Sequence, residues 1–299
     1  MATKTLQSWR SRLAAWLLVV LAPVTASGGE APVRFAPLPL EDQGIIYEQF
    51  AGLVDYLADA TRMPFQWVYH EDYRDILREF AEGRIDLAYL GPLPYVLLER
   101  NYPPAEPLGC FRDSGGEASY TCSLLAPLGS DASVRAPTGA HVGLTQPYST
   151  CGYLATSRML RAAGSSLTGD GNTFSYAGSH QDASLGVASG RYDLAGVKTA
   201  IARRYLHLGL EIVATSDAFP GFTLVANTAT LSAERIARLR EALLALDPTR
   251  NEALAAQMAS WGRHIQNGAV PAAQCDYTHV AAALSDLPWP IPGTEGPSR

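Results

Sequence analysis

Six positions of this chain occur twice with a single difference: Gly83-Arg84-Ile85-Asp86-Leu87-Ala88 returns as Gly190-Arg191-Tyr192-Asp193-Leu194-Ala195. Each copy follows a segment of helical periodicity and leads into a short apolar run. Each therefore reads as a helix stopped by a left-handed glycine and followed by a buried strand. Two readings fit the echo. Helix-to-strand junctions converge on such sequences independently, or one folding unit is present in each of two lobes. The copies lie far enough apart for the second reading, which is the pattern of a two-lobed receptor.

The surrounding sequence predicts an α/β protein with mainly parallel sheets. Val33 to Leu38 is a strand, and Ile46, Phe50, Leu53, Val54 and Leu57 recur at helical spacing. A second helix carries Ile76, Leu77 and Phe80. The strand Ile85 to Leu90 is broken by Gly91-Pro92. Gly109 to Ala126 reads as a hairpin turning at Ser114-Gly115-Gly116. Val142 to Leu144 is a strand, and a helix then runs to about Ala163, ending at Gly164. Thr223 to Ala226 is a strand that returns the chain to the first lobe. It is followed by an amphipathic helix with Ser232 as N-cap and Ile236, Leu239, Leu243 and Leu246 on one face. The expected division is residues 27–125 plus 226–285 for lobe 1, 128–222 for lobe 2, and 286–299 for a flexible tail.

Residues 1–26 read as an export signal. Lys4, Arg10 and Arg12 precede the apolar run from Leu13 to Val24, and Val24-Thr25-Ala26 offers a cleavage site. The run is shorter than the roughly 20 residues that span a bilayer. Cleavage there removes three positive charges and moves the net charge from −6 to about −9. Such a balance argues against nucleic acid or an acidic membrane as partner, and leaves open a small anion held by backbone N–H groups. The predicted mature protein is free in the periplasm, not embedded in the membrane, and monomeric.

Export makes disulfides the default state of the four cysteines, Cys110, Cys122, Cys151 and Cys275. Cys110 and Cys122 flank the Ser114-Gly115-Gly116 turn almost symmetrically, so a bridge between them is expected. Cys151 and Cys275 remain open: bridged to each other they would tie the lobes, whereas a free Cys151 would be a soft ligand. No CxxC pair suggests zinc, and no cofactor motif is present.

Three segments are candidates for ligand contact. Ser149-Thr150-Cys151-Gly152 stands between a strand and a helix, where free N–H groups and the helix dipole favour an anion. Simple N-capping by Ser149 accounts for the same residues. His180, after Gly178-Ser179, is a donor candidate or a loop residue. Tyr95, after Gly91-Pro92-Leu93-Pro94, lies near the carboxyl edge of a strand, where ligands collect in open α/β sheets. Motifs for catalysis are absent: no GxSxG, HExxH or phosphate loop occurs. Cys151 with His180 is a thiol–base pair lacking a third, orienting group, so the chain reads as a binding protein and not an enzyme.

Together, Gly83 to Tyr95 with Tyr73 upstream, Pro147 to Leu154, and Gly178-Ser179-His180 resemble the phosphate-, phosphite- and phosphonate-binding periplasmic components of ABC importers, the PhnD-like substrate-binding family. The resemblance runs from about Val33 to Tyr277. It implies a two-lobed, type II periplasmic-binding fold with a hinge of two crossing strands. It also implies that Ser149, Thr150, Tyr95 and His180 surround a small oxyanion, with Tyr47 in the place of another ligand-facing tyrosine. An ABC permease is the implied partner. Two departures stand out: Cys151 replaces a serine of the usual turn, and Gln181 separates His180 from Asp182. The cysteines also resemble those of arsenite-binding sensor proteins that serve a histidine kinase. Sensing is thus the alternative to import.

Overall fold

The computed structural model describes residues 1, 30–130, 137–287 and 291. The predicted export signal, Met1 apart, lies outside the described residues, as does the predicted tail except for Asp286, Leu287 and Ile291. The chain opens with β1 (Val33–Pro37), α1 (Gln43–Thr61), β2 (Phe65–Trp67), α2 (Tyr73–Ala81), β3 (Leu87–Leu90), α3 (Pro92–Asn101) and β4 (Ala105–Phe111). Next come β5 (Ser119–Tyr120), β6 (Cys122–Pro127), β7 (His141–Leu144), a π-helical turn at Thr150–Ala155 continuing as α4 (Thr156–Ala162), β8 (Thr173–Tyr176) and α5 (His180–Ala188). β9 (Leu194–Lys198), α6 (Thr199–Tyr205), β10 (Leu210–Thr215), β11 (Phe219–Pro220) and β12 (Thr223–Asn227) follow. The chain ends with α7 (Ala233–Leu244), α8 (Glu252–Met258), β13 (Ala269–Pro271) and α9 (Thr278–Ser285).

These strands make two main sheets, one in each lobe. The first has the order β13-β4-β12-β3-β1-β2 and the second β10-β6-β9-β7-β8. Between them the chain crosses twice, and the crossing segments pair antiparallel as β5 and β11, Tyr120 opposite Phe219. This short ribbon is the hinge of two crossing strands.

The repeated hexapeptide builds the same joint in both lobes. Gly83 and Gly190 end α2 and α5 with φ of 73° and 74°, a conformation that excludes most side chains. Three residues on, an aspartate ties the incoming strand to its parallel neighbour in the sheet. The Asp86 N–H donates to the Arg34 carbonyl at 2.9 Å, and Asp86 Oδ2 accepts the Arg34 N–H at 2.9 Å. In the second lobe the Asp193 N–H donates to the His141 carbonyl at 2.9 Å, and Asp193 Oδ2 accepts the His141 N–H at 2.7 Å. The carboxylate thus supplies one more rung below the parallel ladders that pair Phe35 with Leu87 and Val142 with Leu194.

Local signals place the helices that cover these sheets. Ile46, Phe50, Leu53, Val54 and Leu57 of α1 are all buried. Ser232 caps α7 by accepting the Arg235 N–H, and Ile236, Leu239 and Leu243 face the core. Fully burying an aliphatic or aromatic side chain contributes about 1.5–3 kcal/mol, so each such stripe fixes its helix to the sheet.

Two expectations need correction. The segment Gly109 to Ala126 is not a hairpin. β4 is flanked on both sides, by β12 and β13, so no edge is left for β6. The turn itself exists, closed by Asp113 N–H to Glu117 O and Gly116 N–H to Asp113 O, both at 2.8 Å. It sends the chain toward the second lobe, where β6 pairs with β9 and β10. The first crossing therefore lies between Phe111 and Cys122.

The expected Cys110–Cys122 bridge falls with the hairpin. Cys110 is bonded to Cys275, with their Cα atoms 6.6 Å apart, because β13 lies against β4 and the following turn brings Cys275 back over it. Cys122 is bonded to Cys151, with Cα atoms 5.1 Å apart, where the π-helical turn packs over β6. Each disulfide lies within one lobe.

Non-reducing peptide mapping is expected to recover the pairs 110–275 and 122–151. Removing either bridge by paired Cys→Ala substitution should destabilise the protein by about 2–5 kcal/mol in denaturant unfolding. For the aspartate joint, burial raises the Asp86 carboxyl, while hydrogen bonds from the Arg34 side chain and N–H, among others, pull it further, to below its ordinary value. Its stabilisation is therefore present above the unfolded carboxyl pKa and is lost as pH falls through the lower folded value. Asp86→Ala should cost about 1–3 kcal/mol at pH 7 and flatten part of the acid limb of stability against pH.

Candidate functional site

The carboxyl ends of β3, β7, β8 and β9 point to one place between the lobes, as expected for parallel strands of like direction. β3 leads to Gly91, β7 leads to Ser149-Thr150, β8 leads to His180, and β9 ends on Lys198. Gly91, Ser149, Thr150, His180 and Lys198 line one pocket together with Tyr73, Tyr120 and Phe222. Gly91 and Lys198 hold the same register in the two copies of the repeat, three residues past Ala88 and Ala195. The repeat thus delivers one residue of each lobe to the same cleft.

Ser149 is the N-cap of the π-helical turn, its Oγ accepting the Gly152 N–H at 3.0 Å. A Cβ on Gly152 would lie 2.1 Å from Thr145 Oγ1, so glycine permits the turn to press against the end of β7. The N–H groups of Thr150 and Cys151, in the first turn, have no carbonyl one turn back to bond. Thr150 reaches across the cleft, its Oγ1 accepting the Leu93 N–H at 3.0 Å, and it also bonds the buried Tyr120 hydroxyl.

His180 is 3% exposed, and its Nδ1 accepts the Lys198 N–H at 3.1 Å. That bond assigns the ring proton to Nε2, which leaves a neutral donor. Burial and the nearby Lys198 charge lower the imidazole to about 3.

Sequence reading missed Lys198, the strongest charge in the pocket. Its ammonium is buried, 3.1 Å from Asp113 Oδ1, and stands 4.9 Å and 5.0 Å from the ring centres of Tyr120 and Phe222. Burial lowers its pKa while Asp113 opposes the shift. The overlooked signal was the register of the repeat, which ends an otherwise apolar strand on a lysine. Gln146 was also passed over. Its Oε1 accepts the Tyr73 N–H at 2.9 Å, and its Nε2 donates to the Glu71 and Gly178 carbonyls, both at 2.8 Å. The bonds to Tyr73 and Glu71, with His180 N–H to Leu40 O at 3.3 Å and Arg204 to Glu41 at 2.6 Å, hold the lobes together across the cleft.

Three expected site residues lie elsewhere or in another chemical state. Tyr95 is buried in α3, where its hydroxyl donates to Glu99 at 3.0 Å and its ring packs edge-on against Tyr277. Tyr47 accepts from Gln43 and packs against Trp67 and Tyr69, outside the pocket. Cys151 lines the pocket only as half of a disulfide, so it offers no thiolate. The arsenite-sensing alternative thereby loses the soft ligand it relied on.

Among known proteins, the profile of the family described as "ABC transporter, phosphonate, periplasmic substrate-binding protein" matches residues 35–277. A phosphate-import protein, PhnD, of Mycolicibacterium smegmatis is 28% identical over 232 residues, 72% of each chain. Two solved structures share the fold. PhnD1 from Prochlorococcus marinus, in complex with methylphosphonate, superposes with a TM-score of 0.71 at 14% identity, covering 85% of this chain and 97% of that one. A binding protein component of an ABC phosphonate transporter from Pseudomonas aeruginosa gives 0.72 at 18% identity, covering 85% and 86%.

The depressed imidazole has a measurable consequence. The unfolded chain binds this proton near pH 6.5 and the folded one only near 3. His180 should therefore contribute fully to stability above pH 6.5, a contribution lost as pH falls toward 3. Its NMR resonances should show no titration between about pH 5 and 8. His180→Gln should remove this share of the acid destabilisation.

Proposed function

Because the chain belongs to the family of phosphonate-binding periplasmic components of ABC transporters, we propose that it closes its lobes on a phosphonate or phosphate head held by Lys198, His180 and the Thr150 turn. Lys198 carries this reading. A buried ammonium at the meeting of two lobes is a costly arrangement unless an anion makes use of it. Asp113 holds that charge in the closed cleft, and an entering oxyanion competes for it. The neutral His180 donates from Nε2, and the free N–H groups of Thr150 and Cys151 add uncharged donors at the dipole-positive end of a helix. Ser149 caps the turn by accepting the Gly152 N–H, and the same hydroxyl keeps its proton to donate to the oxyanion.

Ligand release requires the lobes to part about the β5–β11 ribbon. Two features suit that motion: the disulfides lie within the lobes, and hydrogen bonds and an ion pair that can exchange with water are among the cross-cleft contacts. The loaded, closed form would then be the one that a membrane permease recognises. Export by residues 1–26 and a monomeric state belong to the same reading. The family's transport role, and a site whose only cysteine is bridged, favour import over sensing by a histidine kinase.

Calorimetric titration with phosphate, phosphite and methylphosphonate tests the assignment. Lys198→Met should weaken binding of whichever anion is preferred by about 2–5 kcal/mol, the range for breaking a buried charge contact. Thr150→Val should weaken it by about 1–2 kcal/mol through loss of the bond that bridges the lobes. Ser149→Ala should lower stability by about 1 kcal/mol through loss of the cap and weaken binding by about 1–3 kcal/mol through loss of its donor. Full affinity in Lys198→Met would place the anion elsewhere.

A further inference from the structure

The cleft continues past Lys198. Beyond that side chain lies a second cavity of about 280 Å³, against about 10 Å³ at the anion turn, and the two share Leu40 and Lys198 as walls. Both lobes build it: Glu41, Gln49 and Trp261 to His264 come from the first, Arg204 on α6 from the second. Its carboxylates are already matched. Asp113 accepts from Lys198, and Glu41 accepts from Arg204 and from Gln49 Nε2, each at 2.6 Å.

What remains unmatched is positive or hydrogen-bonding. Arg263, exposed at the cavity, makes no ion pair among the described residues. His264 Nε2, a ring nitrogen able to donate to an anion, is buried without a partner; Gln49 Oε1 is also unpartnered but can only accept, so it does not bear on an anionic group. Burial, with the charges of Lys198 and Arg204, lowers His264 to about 3, so its ring is neutral and keeps a polar nitrogen unsatisfied. Buried polar atoms without partners are uncommon in folded proteins and call for a bonding group from outside the chain.

We infer that this cavity receives the carbon substituent of the ligand, and that the substituent ends in a carboxylate: the preferred ligand class is a carboxyalkyl phosphonate. The inference rests on the head-group reading above, because the cavity adjoins the proposed anion site through Lys198. A methyl group would leave the cavity's polar atoms unpaired. An ammonium would meet three cations, Lys198, Arg204 and Arg263, facing two carboxylates that are already bonded. A carboxylate finds the unpaired guanidinium of Arg263 and the neutral ring of His264.

The test is calorimetric titration of the full exported protein, disulfides intact, with methylphosphonate, 2-aminoethylphosphonate and phosphonoacetate. Phosphonoacetate is expected to bind roughly ten- to a hundredfold more tightly than methylphosphonate, the equivalent of one added charge-assisted bond, with the amine weakest. Arg263→Gln should shrink the phosphonoacetate-to-methylphosphonate ratio about tenfold. Equal affinities, a preference for the amine, or an unchanged ratio in Arg263→Gln would overturn the carboxylate subsite and leave the head-group reading standing. Failure of all three ligands to bind would overturn both.

Discussion

An aspartate carboxylate in each lobe, buried at Asp86 and exposed at Asp193, accepts the N–H of the strand beside it, and the arrangement of the cleft follows from that bond. Asp86 grips Arg34, and Asp193 grips His141, each returning its own N–H to the same residue's carbonyl. A parallel pair of strands has no hairpin to set its register, so the joint has to come from elsewhere. A slip of one residue would turn every side chain to the opposite face. It would also move the strand ends, and with them Gly91 and Lys198, away from the cleft.

With the strand ends fixed, the electrostatics of the cleft follow. Lys198 leaves β9 at its carboxyl end and enters a space walled by Tyr120 and Phe222, where Asp113 from the other side of the hinge meets it. Its charge helps hold His180 neutral, and the bond from its N–H to Nδ1 sets which ring nitrogen donates. One residue thus acts twice, through its ammonium and through its backbone. The disulfides stiffen the two bodies that meet here without joining them, and rigid lobes on a narrow hinge suit a molecule that opens and shuts.

Much of the fold was legible. The stripe from Ile46 to Leu57 and the Ser232 cap with its apolar face needed nothing beyond helical periodicity and capping chemistry. The Gly91-Pro92 break and the turn before Gly152 were equally local. Thr150 and His180, which line the pocket, were legible for the same reason: they stand at strand-to-helix junctions, which sequence marks. Tyr95 and Tyr47 do not line that pocket, and the sequence gives no sign of where a tyrosine hydroxyl goes. Glu99, four residues along the same helix, claimed one, and Gln43 claimed the other.

The amino-acid sequence by itself determined the helix-to-strand joint that occurs twice and the helices that flank it, because these rest on spacing within about ten residues and on a repeat that is visible without coordinates. Only the tertiary structure decided which cysteines pair, that Lys198 meets Asp113, and that Gln146 and Arg204 span the cleft. Those contacts join residues 29 to 165 positions apart. They depend on sheet order, above all on β12 and β13 flanking β4, and sheet order is set by the competition of whole strands for edges rather than by any local run of residues.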